Sequence, residues 1–279
     1  SSGAQIGGLV GYNTSGDITG ITIKGDIKAG YNVGGLIGTN SSAGAITDVK
    51  ITGNVTGTWS NTNAGGLIGY NGTCGAIGNI IIEGNVIHLG GNTGGLIGCN
   101  SKSGTITEAV VKGNVTSSGS SGQVGGLIGY NSQSGTISGA EYSGTVTGKG
   151  NYIGGLVGNN NSGAIENSKT SGQIVINASG TSSAELMHIG GLVGYNNQQT
   201  ITKCYSSSDI TLGTTSITYC SNIGGLVGYN CNAGKIIQSA ASGNVMVATS
   251  GNNRNNYVGG LVGRMSGDNW SQGTITDSY

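Results

Sequence analysis

Short apolar segments alternate with polar turns along the whole chain, and they recur in a fixed order. Each repeat opens with the string Gly-Gly-Leu-(Ile/Val)-Gly, continues after a turn with a segment such as Ala45-Ile46-Thr47, and closes with a Gly-Asn-Val-Thr segment such as residues 53–56. All three segments are short, rich in β-branched residues and bounded by turn residues, as strands are. No stretch has the apolar spacing of an amphipathic helix. The pattern predicts roughly three strands per repeat and no helix.

The repeat determines the fold, because none of its strands carries enough apolar surface to bury a core by itself. Stacking one repeat on the next covers that surface, as in other solenoid proteins. We therefore predict an all-β parallel β-solenoid (β-helix) of about nine coils of 27–36 residues, forming a single domain over residues 1–279. At a strand spacing of about 4.8 Å the rod would be about 40 Å long. The nine strings begin at Gly7, Gly34, Gly65, Gly94, Gly125, Gly154, Gly190, Gly224 and Gly259.

The composition agrees with this prediction and excludes two classes of partner. The chain has 59 Gly, no Pro and 8% charged residues, with 11 basic residues against 11 acidic ones. The lack of Pro fits strands that all donate backbone hydrogen bonds, and the scarcity of charge fits inward-facing positions. The balanced charge provides no basic surface for a nucleic acid, and no apolar run approaches the length of a membrane span. We expect neither a nucleic acid nor a membrane span.

The longer string Gly-Gly-Leu-(Ile/Val)-Gly-Tyr-Asn, as in residues 7–13 and 125–131, resembles the GLUG motif. This motif is found in repeat arrays of bacterial and protist surface proteins, and the resemblance extends over the whole chain, repeat by repeat. It implies an extracellular or cell-surface location and a structural role as a stalk, a fibre or an adhesin shaft, with no catalytic residues to carry over. The last repeat departs from the motif, because Arg264-Met265 stand where other repeats have Tyr-Asn.

Two columns of side chains follow the string in successive repeats and are the candidate site residues. Stacked Asn side chains would hydrogen-bond from coil to coil, so we interpret the Asn column as structural. The Tyr column either covers a corner of the core or contacts a sugar ring or a partner chain. The Asn column is Asn13, Asn40, Asn71, Asn100, Asn131, Asn160, Asn196 and Asn230. The Tyr column is Tyr12, Tyr70, Tyr130, Tyr195 and Tyr229.

Two kinds of covalent modification are considered from the sequence. Cys74 and Cys99 fall in neighbouring repeats, so we expect them to be within reach of a disulfide, with buried free thiols as the alternative. The other three cysteines, Cys204, Cys220 and Cys231, leave an odd thiol. In a eukaryotic secretory pathway the N-glycosylation sequons would be used. These sequons lie at Asn13, Asn40, Asn54, Asn71, Asn114, Asn160, Asn177 and Asn269.

Catalytic chemistry is not expected, because its residues are scattered. Acidic residues fall about one per repeat at varying positions, and His88 and His188 are isolated. A glycosidase pair, a catalytic triad or a zinc site needs such groups together. We therefore expect no enzyme, no metal and no cofactor. Two alternatives to the structural role stay open: a carbohydrate-binding or polysaccharide-processing β-helix, and an ice-binding solenoid with exposed Thr columns. The Thr columns are interrupted by Gly78, Glu166, Ile237, Ile87, Val175 and Met246.

Both ends of the chain fall inside a repeat, and this leads to expectations about partners. The chain would be a segment of a longer array or a subunit that stacks end to end into a filament, because terminal coils expose strand edges. Its partners would then be copies of itself or further repeats, with glycans as another class. The longer insertions at residues 181–187, 214–220 and 250–256 are the expected places of partner contact.

Overall fold

The computed structural model describes residues 4–120, 122–133, 135–176, 187–212, 221–247, 256–267 and 273–279. Within these ranges the chain forms 39 strands and no helix, and every strand pairing is parallel. The strands form four sheets that run along one solenoid. Each of the first eight coils contributes to all four sheets, and the ninth contributes to the first three. The prediction of an all-β solenoid with about nine coils is confirmed.

Sheets I and II contain the two halves of the Gly-Gly-Leu segment. Sheet I consists of Ile6–Gly7, Val33–Gly34, Thr62–Gly65, Gly91–Gly94, Gln123–Gly125, Tyr152–Gly154, Met187–Gly190, Ser221–Gly224 and Tyr257–Gly259. Sheet II consists of Val10–Asn13, Ile37–Asn40, Ile68–Asn71, Ile97–Asn100, Ile128–Asn131, Val157–Asn160, Val193–Asn197, Val227–Cys231 and Val262–Ser266. A coil therefore has four strands where the sequence predicted roughly three, because the first segment bends in its middle.

Sheets III and IV contain the second and third segments of each repeat. Sheet III consists of Ile18–Ile23, Ile46–Ile51, Ile77–Ile82, Ile106–Val111, Ile137–Ser138, Glu141–Tyr142, Ile165–Glu166, Lys169–Thr170, Thr200–Thr202, Tyr205–Ser206, Lys235–Ile237, Ala240–Ala241 and Thr274–Thr276. Sheet IV consists of Ile27–Ala29, Val55–Gly57, Val86–His88, Val115–Ser117, Thr145–Gly148, Gln173–Ile176, Asp209–Leu212 and Val245–Val247.

The bend between sheets I and II explains how two adjacent apolar residues both face the core. Leu36 and Ile37 would point to opposite faces of a regular strand, yet both are fully buried. Their backbone N–H groups both donate to the carbonyl oxygen of Leu67 in the next coil, at 2.9 and 3.0 Å. Two donors that share one acceptor turn the chain as a bulge does. The same pair of bonds recurs in later coils, so the bend forms a continuous corner along the solenoid.

Sheet III has a second recurring irregularity, a residue with left-handed backbone geometry in the middle of each segment. Asp48, for example, has a φ of 57° and lies between the buried side chains of Ile46 and Val49, which share the inward face. Such a φ is costly for residues with a Cβ, so its recurrence marks a turn that the coil requires. The column consists of Gly20, Asp48, Asn79, Glu108, Gly139, Asn167, Lys203, Gln238 and Asp277.

The core is a column of apolar side chains along the solenoid, and its composition changes towards the later coils. The Leu of the repeated string is fully buried from Leu36 to Leu226. One inward position of sheet III changes from Ile80 in the third coil to Ser168 in the sixth and Ser239 in the eighth. The Ser168 hydroxyl donates to the carbonyl of Glu166 at 2.7 Å and accepts the N–H of Ala140 at 3.1 Å. The later core is thus partly polar, and these hydroxyls are paired.

Three further expectations can be located in this fold. Across the described part of the chain there is no helix long and apolar enough to span a membrane. The two Thr columns face outward in register and are interrupted at the predicted positions, since Gly78 pairs with Thr47 and Ile87 with Thr56. Residues 181–186, 214–220 and 250–255 of the longer insertions lie outside the described residues.

Candidate functional site

The outward side chains of sheets I and II meet across the bend, and together they form the surface that contains the predicted Tyr column. We call this surface the bend surface. Its contact across the corner is direct: Asn32 of sheet I donates from Nδ2 to Oγ1 of Thr39 in sheet II at 3.0 Å. The sheet I row is Asn32, Asn63, Asn92, Gln123, Tyr152, His188, Asn222 and Tyr257. The sheet II row is Tyr12, Thr39, Tyr70, Cys99, Tyr130, Asn159, Tyr195, Tyr229 and Arg264.

Glycine at the second position of each sheet II strand allows the two sheets to approach. A Cβ added to Gly69 would lie 2.7 Å from the backbone nitrogen of Val33 and 2.8 Å from its carbonyl oxygen. Real side chains do not tolerate such contacts with backbone, so only glycine fits. The last Gly of the repeated string therefore sets how tightly the corner closes, and it brings the two outer rows together.

The Tyr side chains of the bend surface use their hydroxyl groups within the solenoid. Tyr12 donates from its hydroxyl to Ser41 at 3.2 Å, and Ser101 donates to the hydroxyl of Tyr70 at 3.1 Å. Asn161 donates to the hydroxyl of Tyr130 at 3.2 Å. Each of these bonds reaches the following coil. These hydrogen bonds orient the three Tyr rings along the solenoid axis, and each hydroxyl group already has a partner within the chain.

In the last four coils the bend surface becomes a continuous stack of aromatic rings. The ring centroids of Tyr152 and Tyr195 are 5.3 Å apart, those of His188 and Tyr229 are 5.0 Å apart, and His188 stacks on Tyr195 at 5.7 Å. Arg264 closes the stack, with its guanidinium carbon 5.3 Å from the Tyr229 centroid. Such offset and tilted pairs are favourable. The rings mostly cover one another, which leaves little free aromatic face for a ligand.

His188 is neutral in this stack at ordinary pH. Burial, with a smaller effect of the positive charge of Arg264, lowers its pKa from 6.5 to about 4. Nδ2 of Asn222 lies 2.8 Å from Nδ1 of His188. Because an amide nitrogen only donates, Nδ1 accepts this bond and the ring proton is on Nε2. Burial also raises the pKa of the Tyr195 hydroxyl. Neither His188 nor Tyr195 is therefore poised to transfer a proton near neutral pH.

The predicted Asn column forms an unbroken ladder inside the corner that follows sheet II. Each Nδ2 donates to the Oδ1 of the next Asn, and the seven distances run from 2.7 to 3.1 Å. The seven side chains from Asn40 to Asn230 are fully buried, and Asn13 in the first coil is slightly accessible. The second amide hydrogen is satisfied by the turn, as when Asn40 donates to the carbonyl of Thr73 at 2.7 Å. The ladder ends in the ninth coil, where Met265 pairs with Asn230.

The ladder makes four of the eight predicted glycosylation sites inaccessible in the folded chain. The sequon residues Asn13, Asn40, Asn71 and Asn160 are buried and bonded in the ladder. An N-linked glycan on any of them would displace the neighbouring coil, so a modified Asn at these four positions is incompatible with this fold. Asn54 is half-buried and donates to Asp26, whereas Asn114 is exposed. Asn177 and Asn269 lie outside the described residues.

The expected disulfide between Cys74 and Cys99 is not formed, and this prediction was wrong. Both thiols are free and buried. Cys74 packs in the apolar core and donates to the carbonyl of Gly44 at 3.5 Å, whereas Cys99 lies in the outer row of sheet II in register with Tyr70. The two side chains are therefore on opposite sides of the corner. Burial raises the pKa of Cys74 to about 12 and also raises that of Cys99. Cys204 and Cys231 are free and buried too, and Cys220 lies outside the described residues.

Carboxylates and histidines do not converge in the described ranges. No group of three or more His, Cys, Asp or Glu residues that could hold a metal ion occurs among those residues. Asp48 and Glu108 share the left-handed column but lie two coils apart, with Asn79 between them donating to Asp48 at 2.6 Å. Hydrogen bonds from Asn79, Thr47 and Thr19 lower the pKa of Asp48. This carboxylate is therefore engaged as a surface hydrogen-bond acceptor.

Sequence reasoning identified the Asn and Tyr columns but missed the partner row on sheet I. Tyr152, His188 and Tyr257 each stand immediately before the apolar residue that precedes the Gly-Gly-Leu string. Aligning the repeats on that string would have placed them in one column. Their contact with the Tyr column could not be read from the sequence, because it depends on the bend.

Comparisons with known proteins agree with the repeat itself. The GLUG motif matches residues 2–28, 149–175 and 186–211, which contain the first, sixth and seventh copies of the Gly-Gly-Leu string. Neither the curated proteins nor the solved structures gave a match. The three motif matches confirm the resemblance found in the sequence: this chain contains GLUG motifs, and they lie in a solenoid of in-register coils.

Proposed function

We propose that this chain is a non-enzymatic structural element of an extracellular or cell-surface protein, in which it serves as a stalk, a fibre or an adhesin shaft. The observation that carries the proposal is the Asn ladder, which connects the first coil to the eighth without a gap. Because each coil contacts its neighbours, a continuous ladder makes the array resist bending and opening.

The core and the surface of the solenoid support the same role. The column of buried Leu and Ile side chains runs beside the ladder, so every coil is bound to the next by apolar contact as well as by hydrogen bonds. Charges on the outer faces are few and partly paired, as in the ion pair of Lys169 with Glu141 at 2.8 Å. A rod with this surface would be chemically inert along most of its length.

The mechanical part of the proposal can be tested by pulling the chain between its ends in a single-molecule force experiment. We expect a high unfolding force, and we expect it to fall when the ladder is interrupted by Asn100→Ala. The matched control is Asn114→Ala, which changes an exposed Asn of the same coil. A chain that unfolds at a low force, or two variants that behave alike, would refute a shaft role based on the ladder.

The location is tested separately, with antibodies raised against the folded rod and applied to intact cells of the source organism. Labelling of unpermeabilised cells or of shed material supports the surface location. Labelling only after permeabilisation contradicts it.

We also propose that the solenoid associates end to end with further copies of itself. Successive coils of this chain pair in register through parallel strands, so a coil of a second copy could stack in the same way. Leu9 is 48% exposed and would lie in that contact. Sedimentation should reveal concentration-dependent association that Leu9→Glu abolishes. A monomer at all concentrations would contradict self-association.

A further inference from the structure

The turn between sheet IV of the second coil and sheet I of the third coil carries an exposed tryptophan. Trp59 is 42% exposed, and one face of its indole lies on the backbone of Gly30 in the previous coil. A Cβ added to Gly30 would lie 2.7, 2.8 and 3.0 Å from Cε2, Nε1 and Cδ2 of the ring. A point that is nearly equidistant from three adjoining ring atoms lies above the ring plane. One face of the indole therefore lies over Gly30, while the side chain as a whole stays exposed.

A chain of buried hydrogen bonds fixes the turn that carries this ring. Thr62 donates from Oγ1 to the carbonyl oxygen of Trp59 at 3.0 Å, and the same Oγ1 lies 3.0 Å from Nε2 of His88. Because the Thr62 hydroxyl hydrogen is used in the bond to Trp59, Nε2 of His88 donates to Oγ1 of Thr62. Nδ1 of His88 then accepts from Thr93 at 2.9 Å. Thr62, His88 and Thr93 are all buried. The ring is thus supported by its own backbone as well as by Gly30.

The surroundings of Trp59 are polar but uncharged. Residues 29–32, 57–62 and 88–91, which form this turn in three successive coils, contain no Lys, Arg, Asp or Glu. Tyr31 and Leu89 are exposed on the neighbouring coils, and Ser60 and Asn61, which follow Trp59 in the chain, are also exposed. The rings of the bend surface in the last four coils differ, because they stack on one another. Trp59 instead has no aromatic neighbour stacked on it among the ring contacts of the described residues, and a hydroxyl and an amide side chain follow it in the chain.

We propose that Trp59 is the stacking platform of a binding site for a neutral saccharide. A sugar ring has an apolar C–H face with hydroxyl groups around its rim. The apolar face would lie on the indole face opposite Gly30, and the hydroxyls would reach Ser60 and Asn61. A charged ligand would find no opposite charge here. A protein hot spot usually needs a larger packed apolar surface around its aromatic anchor. This inference goes beyond the shaft role and does not depend on it.

The test uses the whole chain and a panel of neutral hexose oligosaccharides, with acidic oligosaccharides and a proline-rich peptide as competing probes. Tryptophan fluorescence reports on the site directly, because the chain contains two tryptophans, Trp59 and Trp270. We expect at least one neutral oligosaccharide to change the fluorescence and to bind with a measurable affinity. The acidic probes and the peptide should not bind.

Two variants separate the platform from general effects on the fold. Trp59→Ala removes the ring, and Gly30→Ala keeps the ring but displaces it by the close contacts of its Cβ. Each should weaken binding about tenfold or more, which is the usual loss when one aromatic stacking contact is removed. Tyr205→Ala removes an exposed aromatic residue from sheet III of the seventh coil and should leave binding unchanged.

Three results would overturn the proposal. The first is that no neutral saccharide changes the fluorescence at millimolar concentration. The second is binding that persists in both Trp59→Ala and Gly30→Ala while circular dichroism reports an intact solenoid. The third is preferential binding of the acidic probes or the peptide. None of these results bears on the stiffness of the rod, so failure here is distinct from failure of the shaft role.

Discussion

The Asn ladder makes a quantitative prediction for a change of a single residue. Asn100 accepts from Asn71 at 2.7 Å, and it donates to Asn131 at 2.8 Å and to the Ser103 hydroxyl at 3.0 Å. Its side chain is fully buried. Asn100→Ala therefore removes three buried hydrogen bonds, worth about 1 kcal/mol each, and leaves the Oδ1 of Asn131 without its ladder donor, which costs about 1–3 kcal/mol more. The expected loss in free energy of unfolding is about 4–6 kcal/mol.

The matched control has the same change at an exposed position. Asn114 lies in the same coil and accepts the N–H of Thr145 at 2.8 Å, but water can replace it there. Asn114→Ala should cost at most about 1 kcal/mol. Guanidinium titrations followed by circular dichroism measure both changes. If the two variants lose similar stability, the ladder is not a principal source of cohesion between coils.

A second variant of Asn100 tests the direction of the hydrogen bonds. Asn100→Asp keeps the shape but, when ionised, cannot donate to the Oδ1 of Asn131. Burial of the new carboxyl, and repulsion between its ionised form and the Oδ1 of Asn131, raise its pKa. The folded variant is therefore more stable when this carboxyl is protonated. The variant should therefore gain stability relative to the parent as the pH falls from 7 to 4. A constant difference across that range would contradict the donor assignment.

Three further predictions concern protonation, thiols and backbone contact. Burial lowers the pKa of His88 and of His188 from 6.5 to about 4, so the stability that each neutral ring provides is complete above pH 6.5 and declines by about 3 kcal/mol per histidine towards pH 4. Urea titrations at several pH values measure this decline, and replacing either histidine by Gln should make the free energy of unfolding less dependent on pH. An unchanged pH dependence in the Gln variants would contradict the lowered pKa values. Cys74 and Cys99 should resist a thiol reagent until the chain unfolds, and reducing agent should not change the thermal midpoint; a linked peptide pair in mass spectrometry would contradict the free thiols. Gly69→Ala should destabilise the chain by several kcal/mol, because its Cβ has no space beside Val33, while the same change at the open position Gly25 should cost little; equal effects in thermal melts would contradict the close approach of the sheets.

Several features of the fold could be predicted because the repeat expresses them in every coil. A residue that recurs at the same position in successive coils lies in register with its equivalents, so the Asn column by itself implied a ladder. The interruptions of the Thr columns were predicted by the same argument. The positions of Asn40 and Asn100 in the ladder thus follow from sequence and stacking geometry.

Contacts between different columns could not be predicted, because they depend on how each coil closes. The sequence left open where the side chains of Leu36 and Ile37 would point, and a shared acceptor at Leu67 bends the chain so that both are buried. Cys74 lies in the turn after sheet II and packs in the core, whereas Cys99 lies in the outer row of sheet II, which is why the spacing of neighbouring repeats suggested the wrong pairing.

By itself, the sequence determined the coil, its length and its in-register stacking, because periodicity along a chain becomes alignment along the axis of a solenoid. Only the tertiary structure decided which columns meet: the outer rows of sheets I and II across the bend, and Trp59 on the backbone of Gly30. The physical reason is that the period of 27–36 residues, which sets the stacking of the coils, is visible in the sequence. The angles between the four sheets arise instead from local backbone geometry within one coil. Those angles decide which side chains are buried and which remain open to a partner.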